Sequence, residues 1–136
     1  MRTGSELLEH TAEVKLRLLA PSFGELVAEA GRAVARIELA GELPAPTGPW
    51  RELEIHSSDR EALLVDWLNE LIFLAETERW VATDFEVRNA TDTELSVRAR
   101  GATVETAPAR IKAATFHGLE IVPVAGGLAT EVIFDV

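Results

Sequence analysis

The spacing of apolar residues in the first third of the chain predicts a strand followed by a helix. The segment VKLRLL, which begins at Val14, alternates between apolar and basic side chains and so predicts a half-buried strand. Helical spacing follows, and Ser22 and Glu25 have the separation of a capping box at the start of this helix. The apolar stripe of the helix comprises Leu26, Val27, Ala30, Ala33, Val34 and Ile37.

The same order of strand and helix repeats in the middle of the chain. Residues 50–57 alternate, with Leu53 and Ile55 predicted to face inward. Ser58 and Glu61 again have capping-box spacing, and the helix that follows them has a broad apolar face. The residues predicted on this face, and hence in the core, are Leu63, Leu64, Trp67, Leu68, Leu71, Ile72 and Ala75.

The second half of the chain contains five further strand candidates. The alternating segments DFEVRN and ELSVRARG flank the turn-like NATD and predict a hairpin. Further strands are predicted at residues 111–116, 119–124 and 128–136, with Gly126-Gly127 suited to a tight turn between the last two. Two helices cannot cover both faces of seven strands. The predicted fold class is therefore α+β, with two helices packed on one face of a largely antiparallel sheet or pair of sheets.

Composition narrows the class of protein and of partner. A length of 136 residues without a linker-like segment predicts a single domain, residues 1–136. The 13 basic and 23 acidic residues give a net charge of −10, which argues against stable direct binding to nucleic acid. No segment approaches the roughly 18 consecutive apolar residues of a membrane span. The first residues lack a signal-peptide pattern, and cysteine is absent, so we expect a cytoplasmic protein.

Acidic residues at the ends of the predicted strands are candidates for a cation site. Glu13 begins the first predicted strand within the segment EHTAE, and Asp135 lies beside the last residue, Val136. If the first and last strands are neighbours, the carboxylates of Glu13 and Asp135 meet the terminal carboxylate of Val136. Each close pair of these three anions repels by roughly 1 kcal/mol in water at ~4 Å. A cation relieves this repulsion, and oxygen ligands favour a hard cation such as Ca²⁺ or Mg²⁺. The alternative is that these acids are structural surface charges.

Motifs of known catalytic chemistry are absent from the sequence. It contains no P-loop, Rossmann fingerprint, G-x-S-x-G or H-E-x-x-H segment. Of the three histidines, His56 is expected at the surface and His117 in a turn. One alternative function is a small acid–base enzyme that uses His10 or His117 with Glu13 and Asp135. Another is a general chaperone-like module that binds proteins.

Four segments of the chain resemble the archease family. EHTAE is similar to the family's D/E-H-T-A-D opening, and ALLVDWLNELIFLAETE to its helix L-L-x-D-W-L-N-E-L-L-x-L. IKAATFHGLEI is similar to K-A-V-T-Y-H-G-L-E-V, and VIFDV to the usual terminus. The segments occur in order across nearly the whole chain. The resemblance implies a nested fold, in which one strand–helix–strand–strand unit, about residues 50–101, is inserted into another.

The resemblance also implies a function. Archeases are accessory proteins of the RtcB-type RNA ligase, a GTP- and metal-dependent enzyme that joins the exons of split transfer RNA. They promote guanylylation of the ligase's active-site histidine and allow the ligase to turn over repeatedly. The function implied here is therefore activation of such a ligase in tRNA splicing or RNA repair, without enzymatic activity of the chain itself.

The resemblance assigns a metal site residue by residue. Glu13 takes the place of a family aspartate, and Asp135 and Val136 match the terminal F-D-V. The implied cofactor is a divalent cation, expected to be Ca²⁺, with Mg²⁺ or Mn²⁺ as alternatives. Because Glu13 is one methylene longer than aspartate, the flexible coordination of Ca²⁺ suits it better than the strict geometry of Mg²⁺. The candidates for activating the partner are His10, Lys112 and His117.

Overall fold

A computed structural model describes residues 1–9, 13–41, 43–108 and 110–136. These residues form the strands and helices β1 (Gly4–Glu9), β2 (Glu13–Ala20), α1 (Phe23–Leu39), β3 (Thr47–His56), α2 (Arg60–Glu78), β4 (Trp80–Ala90), β5 (Glu94–Thr103), β6 (Ala113–Thr115), β7 (Val122–Val124) and β8 (Gly127–Asp135). No helix among the described residues combines the length and the apolar character that crossing a membrane requires. The fold class is α+β, as the sequence predicts.

The strands form two sheets in which every pair of neighbours is antiparallel. The larger sheet has the order β1-β2-β8-β6, with β7 also paired to β8, and the smaller sheet has the order β3-β5-β4. The smaller sheet and α2 come from one continuous stretch between α1 and β6. The larger sheet is assembled from both sides of that stretch. The strand–helix–strand–strand unit β3-α2-β4-β5 is therefore inserted between α1 and β6 of the unit that forms the larger sheet, in which β2 lies beside β8.

One hydrophobic core joins both sheets and both helices, and Trp67 of α2 lies fully buried within it. The indole Nε1 of Trp67 donates a hydrogen bond to the carbonyl oxygen of Val27 on α1, at 3.1 Å. The Trp67 ring meets the Phe85 ring edge to face, with 5.7 Å between centroids. A Cβ at Gly31 of α1 would lie 2.7 Å from the Phe85 ring, so a larger residue there would require this ring to move. The predicted core positions Leu68, Leu71 and Ile72 are confirmed as buried.

Several predicted strand boundaries are corrected by the structure. The sequence pattern does not predict β1, because this strand lies at a sheet edge where apolar residues such as Leu7 stay exposed. β6 and β7 contain three residues each and are shorter than predicted, because the apolar Ile111 and Ile121 are buried by core packing and not by strand pairing. β4 begins earlier, at Trp80, where four consecutive buried residues obscure the two-residue period.

The N-terminal cap of α2 is Asp59, not the predicted Ser58. The Asp59 carboxylate accepts a hydrogen bond from the Ala62 amide at 2.8 Å, whereas α1 is capped by Ser22 as predicted, through the Glu25 amide at 3.2 Å. A carboxylate also interacts favourably with the partial positive charge at a helix N-terminus. Aspartate is therefore the stronger cap of the two adjacent candidates.

Replacing Asp59 with alanine is expected to lower the free energy of unfolding by about 1 kcal/mol, because it leaves the Ala62 amide without its acceptor. The Ser58→Ala variant is the matched control and is expected to change it by less than about 0.5 kcal/mol. Urea denaturation measures both values. An equal loss in the two variants contradicts the assignment of Asp59 as the cap.

Candidate functional site

The two acids predicted to converge lie directly opposite each other. β2 and β8 pair in a register that places Glu13 opposite Asp135. Opposed residues of an antiparallel pair share a face of the sheet, with Cβ atoms about 4.5–5.5 Å apart. The next pair, Val14 and Phe134, is buried in the core, so Glu13 and Asp135 lie on the outer face. Asp135 is exposed and Glu13 is partly exposed, so this end of the sheet presents two carboxylates to solvent.

Arg17, Glu6 and Glu131 form another row of charged residues on the same face, and in this row, unlike the acid pair, acids lie beside a base. Arg17 lies between Glu6 of β1 and Glu131 of β8, at 3.6 Å from the first and 2.7 Å from the second. The hydrogen bond from Arg17 holds the pKa of the Glu131 carboxyl below its usual value. Among the residues that the structure describes, neither Glu13 nor Asp135 has an ion-pair partner. Like charges in direct opposition destabilise a sheet, so added positive charge is favoured at this acid pair.

β6 is the third strand at this end of the sheet. Ala113 lies opposite Asp135 on the side away from Glu13. The preceding residue, Lys112, donates its backbone N–H to the carbonyl oxygen of Asp135 at 2.8 Å. Its side chain is exposed. Lys112 is therefore held next to the acid pair by its backbone, while its ammonium group remains accessible.

The oxygen atoms at this end suit a hard cation. Glu13 and Asp135 offer two carboxylates, and Val136 follows with main-chain oxygen. Ca²⁺ accepts about 6–8 oxygen ligands, including carbonyl groups and water, in flexible geometry. Within the described ranges, no group of three or more His, Cys, Asp or Glu side chains could hold a metal ion. A cation here would therefore take two carboxylates from the protein and complete its shell with main-chain oxygen and water.

Neither of the described histidines lies in the row of the acid pair. His117 is exposed in a turn that is closed by a hydrogen bond from the Leu119 amide to the Phe116 carbonyl oxygen at 3.0 Å, which confirms its prediction as a turn residue. The chain has left β6 at this point and no longer faces Asp135. His56 is exposed on β3, as predicted. His10 lies outside the residues that the structure describes.

A concave surface lies at the opposite end of the outer face. This groove has a volume of about 550 Å³, and its lining includes Leu19, Val122 and Arg17. The Arg17 guanidinium at its side is already bonded to Glu131 and paired with Glu6. The groove thus offers less unbalanced charge than the acid pair, which is the better candidate for a binding site.

Glu38 of α1 is a buried acid that no motif identifies. It is 5% exposed, and neither carboxyl oxygen has a hydrogen-bond partner among the described residues. Burial raises the pKa of this carboxyl to about 7, against smaller opposing effects of the Ile111 amide and the Arg110 charge, while Glu76 raises it further. Glu38 continues the apolar stripe of α1, four residues after Val34, and this spacing is the sequence signal that points to its burial.

Comparison with known proteins decides the family. Residues 6–136 match the archease protein family (MTH1598/TM1083). The chain belongs to the archease family. Protein archease of Methanosarcina mazei is 33% identical over 142 residues, which cover 96% of this chain and 94% of that protein. Protein archease of Methanopyrus kandleri is 33% identical over 141 residues, which cover 96% of this chain and 97% of that protein.

Two solved structures share the fold of this archease. The solution structure of Methanobacterium thermoautotrophicum protein 1598 matches with a TM-score of 0.74 and 28% identity, covering 98% of this chain and 99% of that one. The crystal structure of a Thermotoga maritima archease, described as a possible chaperone, matches with a TM-score of 0.66 and 23% identity, covering 100% and 98%. In this archease, Glu13 and Asp135, which come from two of the motif segments, lie opposite each other in the neighbouring strands β2 and β8.

Proposed function

We propose that this archease is an accessory protein that activates an RtcB-type RNA ligase through the Glu13–Asp135 end of its larger sheet. The observation that carries the proposal is the direct opposition of these two acids without an ion-pair partner among the described residues. Membership of the archease family is the reason for proposing an RNA ligase as the partner. The two proteins are expected to meet in the cytoplasm, in tRNA splicing or RNA repair.

In this proposal, Glu13, Asp135 and the main-chain oxygen of Val136 hold a divalent cation. Ca²⁺ is the expected ion, with Mg²⁺ or Mn²⁺ as alternatives. When bound, the cation supplies the positive charge that offsets repulsion between the two carboxylates. Lys112, held by its backbone against Asp135, keeps its ammonium group available for an anionic group of the ligase. The exposed His117 is a second candidate for contact with the partner, and His10 is a third.

The protein is proposed to have no ligase activity of its own and not to bind RNA directly. Arg98 and Arg100 of β5 support the proposed lack of RNA binding, because they are engaged within the smaller sheet. Arg98 lies 3.4 Å from Glu52 and Arg100 lies 3.1 Å from Asp84. Both guanidinium groups also stack on Trp50, at 5.0 and 4.5 Å from the ring centroid. These arginines are thus paired internally, unlike the free basic track that phosphate binding requires.

Replacing Asp135 with asparagine is expected to abolish the stabilisation by Ca²⁺ and to reduce ligase activation by about 10-fold or more. The substitution keeps the shape of the side chain but removes one of two carboxylates. Wild type at a Ca²⁺ concentration of 100 Kd is expected to gain about 2.7 kcal/mol, seen as a higher melting temperature. Thermal melts with and without Ca²⁺, beside a ligase guanylylation assay, measure both effects.

The matched control is Glu131→Gln, which removes one acid from the same strand and face but from the row of Arg17. It is expected to keep both Ca²⁺ stabilisation and ligase activation. If Asp135→Asn activates the ligase as well as wild type does, the acid pair is only surface charge. If wild type binds Ca²⁺ without raising guanylylation, a chaperone-like binding module is the better description.

A further inference from the structure

Asn69 of α2 occupies the place that a neighbouring strand would take beside β6. In the larger sheet, β6 pairs with β8 on one side. On its other side, the Asn69 Nδ2 donates to the carbonyl oxygen of Ala114 at 3.1 Å, and the Asn69 Oδ1 accepts from the Ala114 N–H at 2.8 Å. Ala114 is buried, so its backbone groups require partners within the protein. One side-chain amide satisfies both.

The bonds from Asn69 act on the strand that flanks the acid pair. Ala114 lies opposite Phe134, and the adjacent residue Ala113 lies opposite Asp135. The Lys112 amide then donates to the Asp135 carbonyl oxygen at 2.8 Å. Asn69 is therefore connected to the main chain of Asp135 through Ala114 and Ala113 of β6 and through Lys112, which precedes that strand.

The same helix holds the far end of this segment through Glu61. The Ile121 N–H donates to the Glu61 Oε2 at 3.0 Å. Glu61 and Asn69 are eight residues apart on α2, which corresponds to about two helical turns. The segment 114–121 is thus bonded to α2 at both ends, with Asn69 at the end nearer Asp135 and Glu61 at the end beyond the His117 turn.

We propose that Asn69 is a positioning residue for the Glu13–Asp135 site. Its amide anchors β6 to α2 and so fixes the Asp135 main chain and Lys112 in the arrangement that binds the cation. This inference rests on the proposed function of that site. Asparagine suits the position because its amide both donates and accepts, whereas aspartate only accepts and leucine does neither. Its low helix propensity gives it no local advantage within α2.

The test compares Asn69→Leu and Asn69→Asp with wild type in the full-length chain. In Asn69→Leu, amide hydrogen exchange at Ala114 and Lys112 is expected to accelerate, and the affinity for Ca²⁺ to fall about 10-fold or more, as for other residues that orient metal ligands. Asn69→Asp keeps an acceptor for the Ala114 N–H but turns a second acceptor toward the Ala114 carbonyl oxygen. Its exchange rates and its affinity for Ca²⁺ are therefore expected to lie between those of wild type and Asn69→Leu. Exchange is followed by NMR and affinity by calorimetric titration.

The control for a general loss of stability is Trp67→Phe. Trp67 lies on α2, as Asn69 does, but the hydrogen bond that this variant removes joins α2 to Val27 of α1 and not to β6. It is expected to lower the melting temperature and to leave the Ca²⁺ affinity unchanged. The inference is overturned if Asn69→Leu binds Ca²⁺ as tightly as wild type, or if Trp67→Phe loses affinity to the same degree.

Failure of the proposed function is seen separately. If wild type binds Ca²⁺ but does not raise ligase guanylylation, the proposed ligase role is wrong. The Ca²⁺ affinities of wild type, Asn69→Leu and Trp67→Phe still show whether Asn69 positions the site. If wild type binds none of Ca²⁺, Mg²⁺ and Mn²⁺, both the metal site and the positioning role are overturned.

Discussion

Replacing Leu68 with alanine is expected to lower the free energy of unfolding by about 2–5 kcal/mol. Leu68 is fully buried in the core that joins the two helices and both sheets. Its truncation removes apolar contacts and leaves a cavity that close-packed neighbours fill only in part. Urea denaturation measures the loss as a lower midpoint at an unchanged slope.

The matched control is Phe73→Ala on the same helix, since the Phe73 side chain is 55% exposed. This variant is expected to change the free energy of unfolding by less than about 1 kcal/mol. A loss well below 1 kcal/mol in Leu68→Ala, combined with loss of ligase activation, would instead mean that this face of α2 contacts the partner.

Replacing Glu38 with glutamine is expected to raise the free energy of unfolding above pH 7 by up to about 3 kcal/mol, at about 1.4 kcal/mol for each pKa unit. The pKa of this carboxyl rises from 4.5 to about 7 on folding. Between these pH values, the folded protein holds a proton that the unfolded chain has released. Stability therefore falls as the pH rises from about 4.5 to about 7, because a charge must then form on a buried carboxyl.

The matched control is Glu29→Gln, a second buried acid of α1. Glu29 differs from Glu38 in being paired, with Arg32 at 3.2 Å and Arg36 at 3.6 Å. Removal of its charge is therefore expected to bring no gain of stability above pH 7. Thermal melts between pH 5 and pH 8 measure all three proteins. Parallel pH profiles for wild type and Glu38→Gln would show that Glu38 ionises as freely in the folded protein as in the unfolded chain.

Local periodicity determined most of the secondary structure and the core. The alternation that begins at Val14 and the helical stripe around Leu68 place side chains on one face whatever the rest of the chain does. The capping of α1 by Ser22 is local for the same reason. Periodicity did not predict the strand bounds correctly where the burial of a residue does not depend on strand pairing. β1 is a strand at an exposed edge, and Ile111 is buried without pairing in a strand.

The candidate site depended on both levels. The sequence by itself placed Glu13 at a strand start and Asp135 at a strand end, and the resemblance to archeases marked both as ligands. Only the tertiary structure made β2 and β8 neighbours and put the two acids in the same row. A register shift of one residue would turn one of them toward the core, and no local pattern specifies register between strands so distant in the chain.

The supporting contacts were decided by tertiary structure alone. Asn69 bonds a residue 45 positions away, and Glu61 bonds one 60 positions away. The sequence determined that both residues lie on α2, because helical spacing and capping are local properties. It did not determine what they contact, since that depends on where β6 packs against the helix. The raised pKa of Glu38 has the same origin, because its main cause, desolvation, arises only when distant segments close over the side chain.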